Sequence, residues 1–577
     1  MELTGQITNR TRATTVAATV LAATMLAAPG ANDAAGPDHG PAATYVLQAA
    51  PGALQAAEAS AVRAGGEVLR SMRTLSSATV RMSASSAQLA ARSPGVLSVT
   101  PDAPLHLASI GTSGVAAAYD PVNDPNSLYN VEQVTGARQV WKSATGAGVD
   151  VALIDSGVAP VSGLNGTNKL VNGPDLSFDS QSTNDRYIDR YGHGTHLASI
   201  IAGHDAGVVA AGGTNDTTSF LGIAPDARIV SVKVADGQGL SDVSQVIAGI
   251  DWVVQHAHSD GLNIRVLNLS FGTDSSQDYR LDPLTYAAEV AWRHGITVIT
   301  AAGNRGSTDG HLADPAFDPY VIAVGSSDGQ GTVNRRDDIV SAFSGRGDGV
   351  RNPDLVAPGA HVQGLRAPDS TIDQSSLDPS AFGQRFLRGS GTSQATAVVA
   401  GAAALLAQAH PSYPPDRVKA LLLATTYPLS GQSTAAQGAG LLNMRNILST
   451  YVAPTPQSFD PSTGTGTLEG SRGTMHLIAG DVTLQGEQDI FGHAFDAPAM
   501  AALEADQSSW TDGDWNGGSW TGSGWESSSW ASSSWASSSW ASSSWASSSW
   551  ASSSWASSSW ASSSWASSSW ASSSWGG

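Results

Sequence analysis

Between about Asn130 and Ile447 the chain alternates two kinds of apolar segment. Short continuous runs, Val149–Asp155, Arg228–Val234, Arg265–Phe271, Ile296–Ala301 and Val321–Val324, read as strands buried on both faces. Longer stretches with apolar positions at helical spacing, His193–Ala202, Asp242–His258, Pro283–His294, Thr392–Ala409 and Pro415–Ala424, read as helices. Continuous strands alternating with amphipathic helices predict an α/β domain, a parallel sheet flanked by helices on both faces. Sites in such sheets lie at the carboxyl ends of the strands. Asp155 and Asn304 both close apolar strands, so both fall on that edge.

The flanking segments have other patterns. Residues 42–107 alternate strands (Thr44–Gln48, Val68–Ser71, Ser77–Met82, Val96–Thr100) with helices (Gln55–Ala64, Gln88–Ser93), which predicts a small α+β domain. A Gly/Ser/Pro-containing linker follows over 108–128, and the main domain takes 129–447. Residues 451–505 are polar, with pieces such as Ser462–Thr467, and read as a spacer. The tail, 506–577, places tryptophan at every fifth position from Trp510 to Trp575, and from Ala531 its unit is Ala-Ser-Ser-Ser-Trp. Five residues advance a helix about 140° beyond a full turn, and an odd step puts successive strand residues on opposite faces. Neither form offers one apolar face, so the repeat reads as a low-complexity tail.

Composition sharpens this. A chain of 577 residues exceeds one ordinary domain. A formal net charge of -20 argues against nucleic acid as a partner. The absence of cysteine excludes a thiol nucleophile, a thiolate metal site and disulfides. At the N-terminus Arg10 and Arg12 precede an alanine-rich run, Ala13–Ala28, and small residues follow. That is the pattern of a signal peptide over residues 1–30, shorter than the roughly 20 uninterrupted apolar residues of a membrane span. It predicts a secreted, extracellular protein.

The chemistry concentrates in four segments: Val151-Ala-Leu-Ile-Asp155-Ser-Gly157, Gly192-His193-Gly-Thr-His196, Ala301-Ala-Gly-Asn304 and Gly391-Thr392-Ser393-Gln394. A serine hydroxyl is a poor nucleophile until a base takes its proton and a third group fixes the tautomer of that base. Asp…His…Ser is one of the chain orders in which this triad recurs. Position 395 is Ala, so Ser393 is not in a Gly-x-Ser-x-Gly elbow. His196 lies three residues after His193 without the glutamate of a His-Glu-x-x-His zinc motif, and reads as structural.

Together these segments resemble the subtilisin-like serine peptidases (subtilases) over about 130–447. The resemblance implies an autoprocessed serine endopeptidase acting on proteins or peptides, with Asp155, His193 and Ser393 as triad and Asn304 as oxyanion donor. It implies substrate contacts at Gly239, Ser270, Gly272, Ala302 and Gly303. The 42–107 segment resembles the inhibitor propeptide of such enzymes, which would make the chain a zymogen cut in the linker. The repeat beside this domain resembles exported peptidases of actinobacteria. No cofactor is implied for the chemistry. Structural calcium is frequent in the family, but the sequence carries no complete loop motif for it and no metal ligand is assigned. Two positions depart from the family pattern, Gln394 in place of methionine and Ala397 in place of proline. Regularly spaced aromatics suit sugar rings or wet interfaces, so the tail suggests retention at the cell envelope or on polysaccharide. The rival reading is an inactive subtilase-like scaffold that binds surfaces through the Trp/Ser tail.

Overall fold

The structure, a computed structural model, describes residues 43–50, 53–72, 77–101, 120–182, 184–307, 310–375, 385–479 and 482–519. The segments read as signal peptide (1–30), the linker up to 119 and the repeat beyond 519 lie outside the described residues. The chain divides into two units, Met1–Ile110 and Gly111–Gly577.

The first unit runs β1 (Ala43–Ala49), α1 (Leu54–Arg63), β2 (Glu67–Met72), β3 (Ser77–Met82), α2 (Ala84–Ala91) and β4 (Val96–Pro101). Its antiparallel sheet has the order β2-β3-β1-β4. Leu47, Val80 and Met82 from the sheet and Ala57, Ala61 and Ala90 from the helices form its buried core. The small helix residues let α1 and α2 lie close to the strands. The second helix starts earlier than the expected Gln88, because Ser83 Oγ accepts the Ser86 N–H at 3.1 Å and caps it.

The second unit begins with α3 (Leu128–Thr135) and α4 (Ala137–Val140), followed by β5 (Asp150–Asp155), β6 (Leu170–Asp175) and α5 (His193–Ala202). Next come β7 (Arg228–Lys233), α6 (Val243–His256), β8 (Ile264–Leu269), α7 (Pro283–Arg293), β9 (Thr297–Ala301) and β10 (Ile322–Asp328). The chain then makes β11 (Ile339–Val340), β12 (Leu355–Pro358), β13 (Val362–Leu365), α8 (Thr371–Ser375), β14 (Phe386–Gly389), α9 (Thr392–Ala409), α10 (Pro415–Ala424) and α11 (Thr434–Gln437). The main sheet has the order β11-β10-β9-β8-β5-β7-β6, with β12 also on β10. Its ladders are parallel except β10 with β11. Every residue of β5 and β9 is buried, as continuous apolar strands in a two-sided sheet require. The fold is the α/β arrangement that the alternation predicts.

Two boundaries differ from the sequence reading. Residues 120–127, assigned to the linker, are tied into the second unit. Asn130 Nδ2 donates to the carbonyls of Pro121, Val122 and Asp124, and Arg388 pairs with Asp124 at 2.7 Å. Residues 451–505, assigned to a spacer, fold onto α6 and α7. They include α12 (Leu468–Arg472), β15 (Ile478–Ala479), β16 (Val482–Thr483) and α13 (Ala497–Ala505), and bury Leu468, Phe491, Phe495 and Met500 in the main core. Arg472 is fully buried, with Nε donating to Asp242 Oδ2 at 2.7 Å, while Asp242 also caps α6.

The start of the repeat is folded too, as β17 (Trp510–Thr511), β18 (Asp514–Trp515) and β19 (Gly518–Ser519). Asp512-Gly513 and Asn516-Gly517 take positive φ, which reverses the chain twice. The reversal sets Trp510 opposite Trp515. An unbroken strand would separate them to opposite faces; the hairpin brings them to one. Trp510 Nε1 donates to Ala248 O at 2.8 Å and Trp515 Nε1 to Asp251 Oδ2 at 2.7 Å, both on α6. Gln255 accepts the Trp510 N–H at 2.8 Å and donates to its carbonyl. Among the described residues no helix is long and apolar enough to cross a membrane.

These contacts separate fold from tail by stability. Trp515 is fully buried, so Trp515→Ala should cost about 3–5 kcal/mol in a urea titration. A chain ending at Ser519 should keep the full-length melting temperature, whereas one ending at Ile447 should lose it.

Candidate active site

Asp155 ends β5, and the residues that hold it are local. Its Oδ1 accepts the Ser156 N–H at 2.8 Å, and the carboxylate faces His193 Nδ1, with Oδ1 at 2.9 and Oδ2 at 3.0 Å. A carboxylate only accepts, so Nδ1 carries the proton and Nε2 is left as the basic nitrogen. Burial disfavours the imidazolium, but the charge and hydrogen bond of Asp155, with Asp189 behind, outweigh it and hold the His193 pKa above the ordinary 6.5.

The Gly-His-Gly-Thr-His segment can be read residue by residue. Gly192 is left-handed, φ 105°, at the start of α5. A Cβ on Gly194 would collide with Gly157 O, so only glycine lets α5 approach the end of β5. Thr195 Oγ1 donates to Asp189 Oδ2 at 2.7 Å and accepts the Ala159 N–H at 2.9 Å. His196 is buried and its ring lies between Gly364 and Gly389. Burial drives its pKa down to about 4, aided by repulsion from His193, so it stays neutral, with Nε2 to Leu387 O at 3.3 Å. That fits the structural role expected of it.

Sequence reasoning missed Asp189 and Ser156. Asp189, itself buried, accepts the N–H groups of Gly192 (2.6 Å) and Thr195 (2.8 Å), which are open donors at the start of α5. Ser156 Oγ donates to Asp189 at 2.9 Å and accepts the Gly194 N–H at 3.0 Å. One hydroxyl thus links the strand that carries Asp155 to the helix that carries His193. The signal was present as Ile-Asp-Arg-Tyr-Gly-His, an acid four residues before the histidine, but an aspartate at that distance has many uses. Lys233, fully buried beside Gly157, donates to Asp179 Oδ2 and Ile188 O, each at 2.6 Å, and so fixes the loop that leads into α5.

Ser393 is the second residue of α9, whose N-cap is Gly391. Its N–H lies in the first turn and has no partner within the helix. Asn304 follows β9, and its Oδ1 accepts both Thr392 N (2.8 Å) and Thr392 Oγ1 (3.0 Å). Two donors on that oxygen fix the orientation of the amide and leave Nδ2 as a free-facing donor. A Cβ on Gly391 would stand 3.5 Å from Nδ2, so glycine keeps that approach open. The Gln394 amide folds back over Gly389 and Gly391, which have no side chains to displace it. Glutamine is therefore accommodated where the family pattern differs.

Ser270 Oγ, just past β8, lies 3.4 Å from Ser393 O. Since β9, β8 and β5 are parallel neighbours, Asn304, Ser393, Asp155 and His193 gather at one sheet edge. Helices α5 and α9 pack side by side behind them. Among the described residues no hydrogen bond joins Ser393 Oγ to His193; such bonds are often long before substrate binds. Of the expected substrate contacts, Gly272 and Gly303 both face Ala313, whose Cβ lies 3.0 and 3.2 Å from their missing Cβ positions. Ala302 is buried beside them. Gly239 sits apart, against the ring of Tyr191, two residues before His193.

The subtilase family profile (Peptidase_S8) matches residues 146–445, just over half of the chain. The serine protease AprX of Bacillus subtilis (strain 168) is 35% identical over 357 residues, covering 60% of this chain and 77% of that protein. Subtilisin Savinase of Lederbergia lenta is 34% identical over 302 residues, covering 52% and 91%. Subtilisin of Bacillus pumilus is 31% identical over 325 residues, covering 55% and 97%. The chain belongs to the subtilase family, and its activity is that of a serine-type endopeptidase.

The His193 environment gives a direct test. Its imidazole should titrate above 6.5 by NMR. Asp155→Asn removes the charge and leaves the burial, so the pKa should fall below the ordinary value. An unchanged titration would show that Asp155 is not its partner in solution.

Proposed function

We propose that this chain is an exported serine endopeptidase, made as a precursor, that cleaves peptide bonds through an acyl-enzyme on Ser393. The observation that carries the reading is the joint placement, at one sheet edge, of the Asp155–His193 pair, the first turn of α9 and the fixed Asn304 amide. His193 Nε2 takes the Ser393 proton as Oγ attacks the substrate carbonyl. Asp155 holds the tautomer and stabilises the imidazolium. The developing oxyanion receives hydrogen bonds from Asn304 Nδ2 and the Ser393 N–H, with the positive end of α9 behind them. The imidazolium then protonates the leaving amine, and water repeats the sequence on the acyl-enzyme.

An extended substrate pairs its backbone with residues 237–240. Its side chain before the scissile bond enters the slot between Gly272 and Gly303. Small walls without an acid there favour an apolar side chain. The chemistry uses no cofactor.

Export rests on Arg10, Arg12 and the apolar run that follows. The first unit is the propeptide and inhibitor. Because residues 120–127 belong to the second unit, the self-cleavage site falls between 102 and 119. With Trp510 and Trp515 buried in the fold, retention at an envelope or polysaccharide falls to residues beyond 519. Deleting 520–577 should then shift activity from cell-bound to free.

Ser393→Ala should accumulate as uncut precursor without peptidase activity, read by N-terminal sequencing of the secreted protein; normal processing of that variant would rule out self-cleavage. A fluorophosphonate should label wild type at Ser393, whereas an inactive binding scaffold would take none. Asn304→Ala should lose on the order of 10²–10³ in turnover, a magnitude known for subtilisin. Since the base must be neutral and its pKa is raised, kcat/KM should fall with pH through a value above 6.5.

A further inference from the structure

The turn behind the proposed slot has little apolar material to hold it. Ala302, Leu312, Ala316 and Ala323 form a small cluster apart from the main core, with Phe317 against it. Alanines bury little area, so packing alone fixes such a turn weakly. Its backbone is nevertheless built into the slot: Ala313 N donates to Ala302 O at 3.1 Å, and Phe317 N to Ala313 O at 3.1 Å. What remains to be satisfied are the carbonyls of residues 316 and 318–321.

Those carbonyls converge on two side-chain cations. Arg351 Nε donates to Ala316 O at 3.2 Å, and its Nη2 to Asp318 O at 2.9 Å and Val321 O at 3.4 Å. Its Nη1 donates to Asn352 O at 3.1 Å. Lys419 Nζ, from α10, takes Pro319 O at 2.6 Å and Val321 O at 2.9 Å. Asp354 answers both charges, with Oδ2 3.1 Å from Arg351 and Oδ1 3.2 Å from Lys419, and it also accepts the Ala323 N–H of β10 at 2.8 Å. Lys419 is buried within the domain, but Arg351 enters from an exposed loop, where its neighbour Val350 is 93% exposed.

We propose that Arg351 is a positioning residue for substrate selection: its guanidinium, seated among the carbonyls of residues 316–321, holds Ala313 and Ala302 at the separation the side-chain slot needs. The inference rests on the peptidase reading above and adds a residue to it that touches neither substrate nor the reacting atoms. Arg351 stands about the turn, not the triad, so its loss acts on recognition more than on chemistry. The guanidinium's fixed fork of five donors reaches the carbonyls of Ala316, Asp318, Val321 and Asn352 at once; an ammonium at the same place reaches fewer of them.

The test compares two reactions of Arg351→Ala. Hydrolysis of peptides with Phe or Leu before the scissile bond needs the slot; labelling by a small fluorophosphonate needs only Ser393, His193 and the oxyanion donors. KM for the peptides should rise about tenfold or more, while kcat and the labelling rate stay within about threefold. Guanidinium chloride at tens of millimolar should restore KM, and sodium chloride at the same ionic strength should not. Arg351→Lys should fall between. If Arg351→Ala does not accumulate as folded protein, Arg351→Lys and Arg351→Gln carry the same comparison. Unchanged KM, or labelling that falls in step with hydrolysis, would overturn the proposal. Failure of the wild type to be labelled would overturn the peptidase reading instead.

Discussion

A carboxylate that ends a buried strand must stay charged with little water around it. Everything at this site depends on how Asp155 meets that constraint. It does so with the N–H of the next residue and with His193 Nδ1. The second partner comes from another element, so its position has to be set by the packing of α5 against β5. That packing is set in turn by the absence of a side chain at Gly194 and by Asp189, which collects the open N–H groups at the start of the helix. The imidazole is thus aimed by a helix end, and the helix end by a second buried carboxylate. Burial raises the pKa of Asp189, while the hydrogen bonds from Thr195 and Gly192 pull the other way.

The chain has no cysteine, and its loops are closed by buried cations instead. Lys233 ties the loop before His193 to β7, Lys419 and Arg351 tie the turn behind the slot to Asp354, and Arg472 ties the C-terminal extension to Asp242. In each case a cation meets at least one carboxylate and several carbonyls. A buried pair of this kind adds little net stability over an apolar pair, but breaking it by removing one partner costs roughly 3–5 kcal/mol. Its value here is geometric. The carbonyls fix where a loop can sit, and the carboxylate makes the position expensive to abandon. Loops around a cleft need that kind of definition more than they need bulk stability.

The strands and helices of the main domain were legible because their patterns are clear: β5, β7, β8 and β9 are short, mostly apolar runs, and α6 opens on Asp242 with Gln245 completing its capping box. The four chemical segments were legible because glycines flank them for steric reasons that the structure bears on directly. What was hidden has physical causes. The strand β6, Leu-Val-Asn-Gly-Pro-Asp, carries residues that ordinarily punctuate loops. Arg472 has no telling local pattern, since Asp242 lies 230 residues away, and Asp189, whose donors at 192 and 195 are close in sequence, is one aspartate among many of similar setting; a buried arginine and an exposed one look alike in a string of letters. The extension after Ile447 looked like a spacer because its polar residues are many, and those residues turn out to answer the capping carboxylates of α6 and α7.

The repeat shows the same limit in its sharpest form. Trp510 and Trp515 keep the five-residue step of the rest, so periodicity alone assigns them to the tail. Yet what decides whether a tryptophan can be buried is the residues between. Asp-Gly and Asn-Gly accept positive φ and turn the chain back on itself; with that reversal two indoles at an odd spacing share one face, and each N–H finds an acceptor on α6. From Ala531 onward the intervening residues are Ala and Ser alone, which carry no such preference. The useful signal in this repeat is therefore the loss of Gly, Asn and Asp from the unit, a change in turn chemistry that a search for tryptophan spacing passes over.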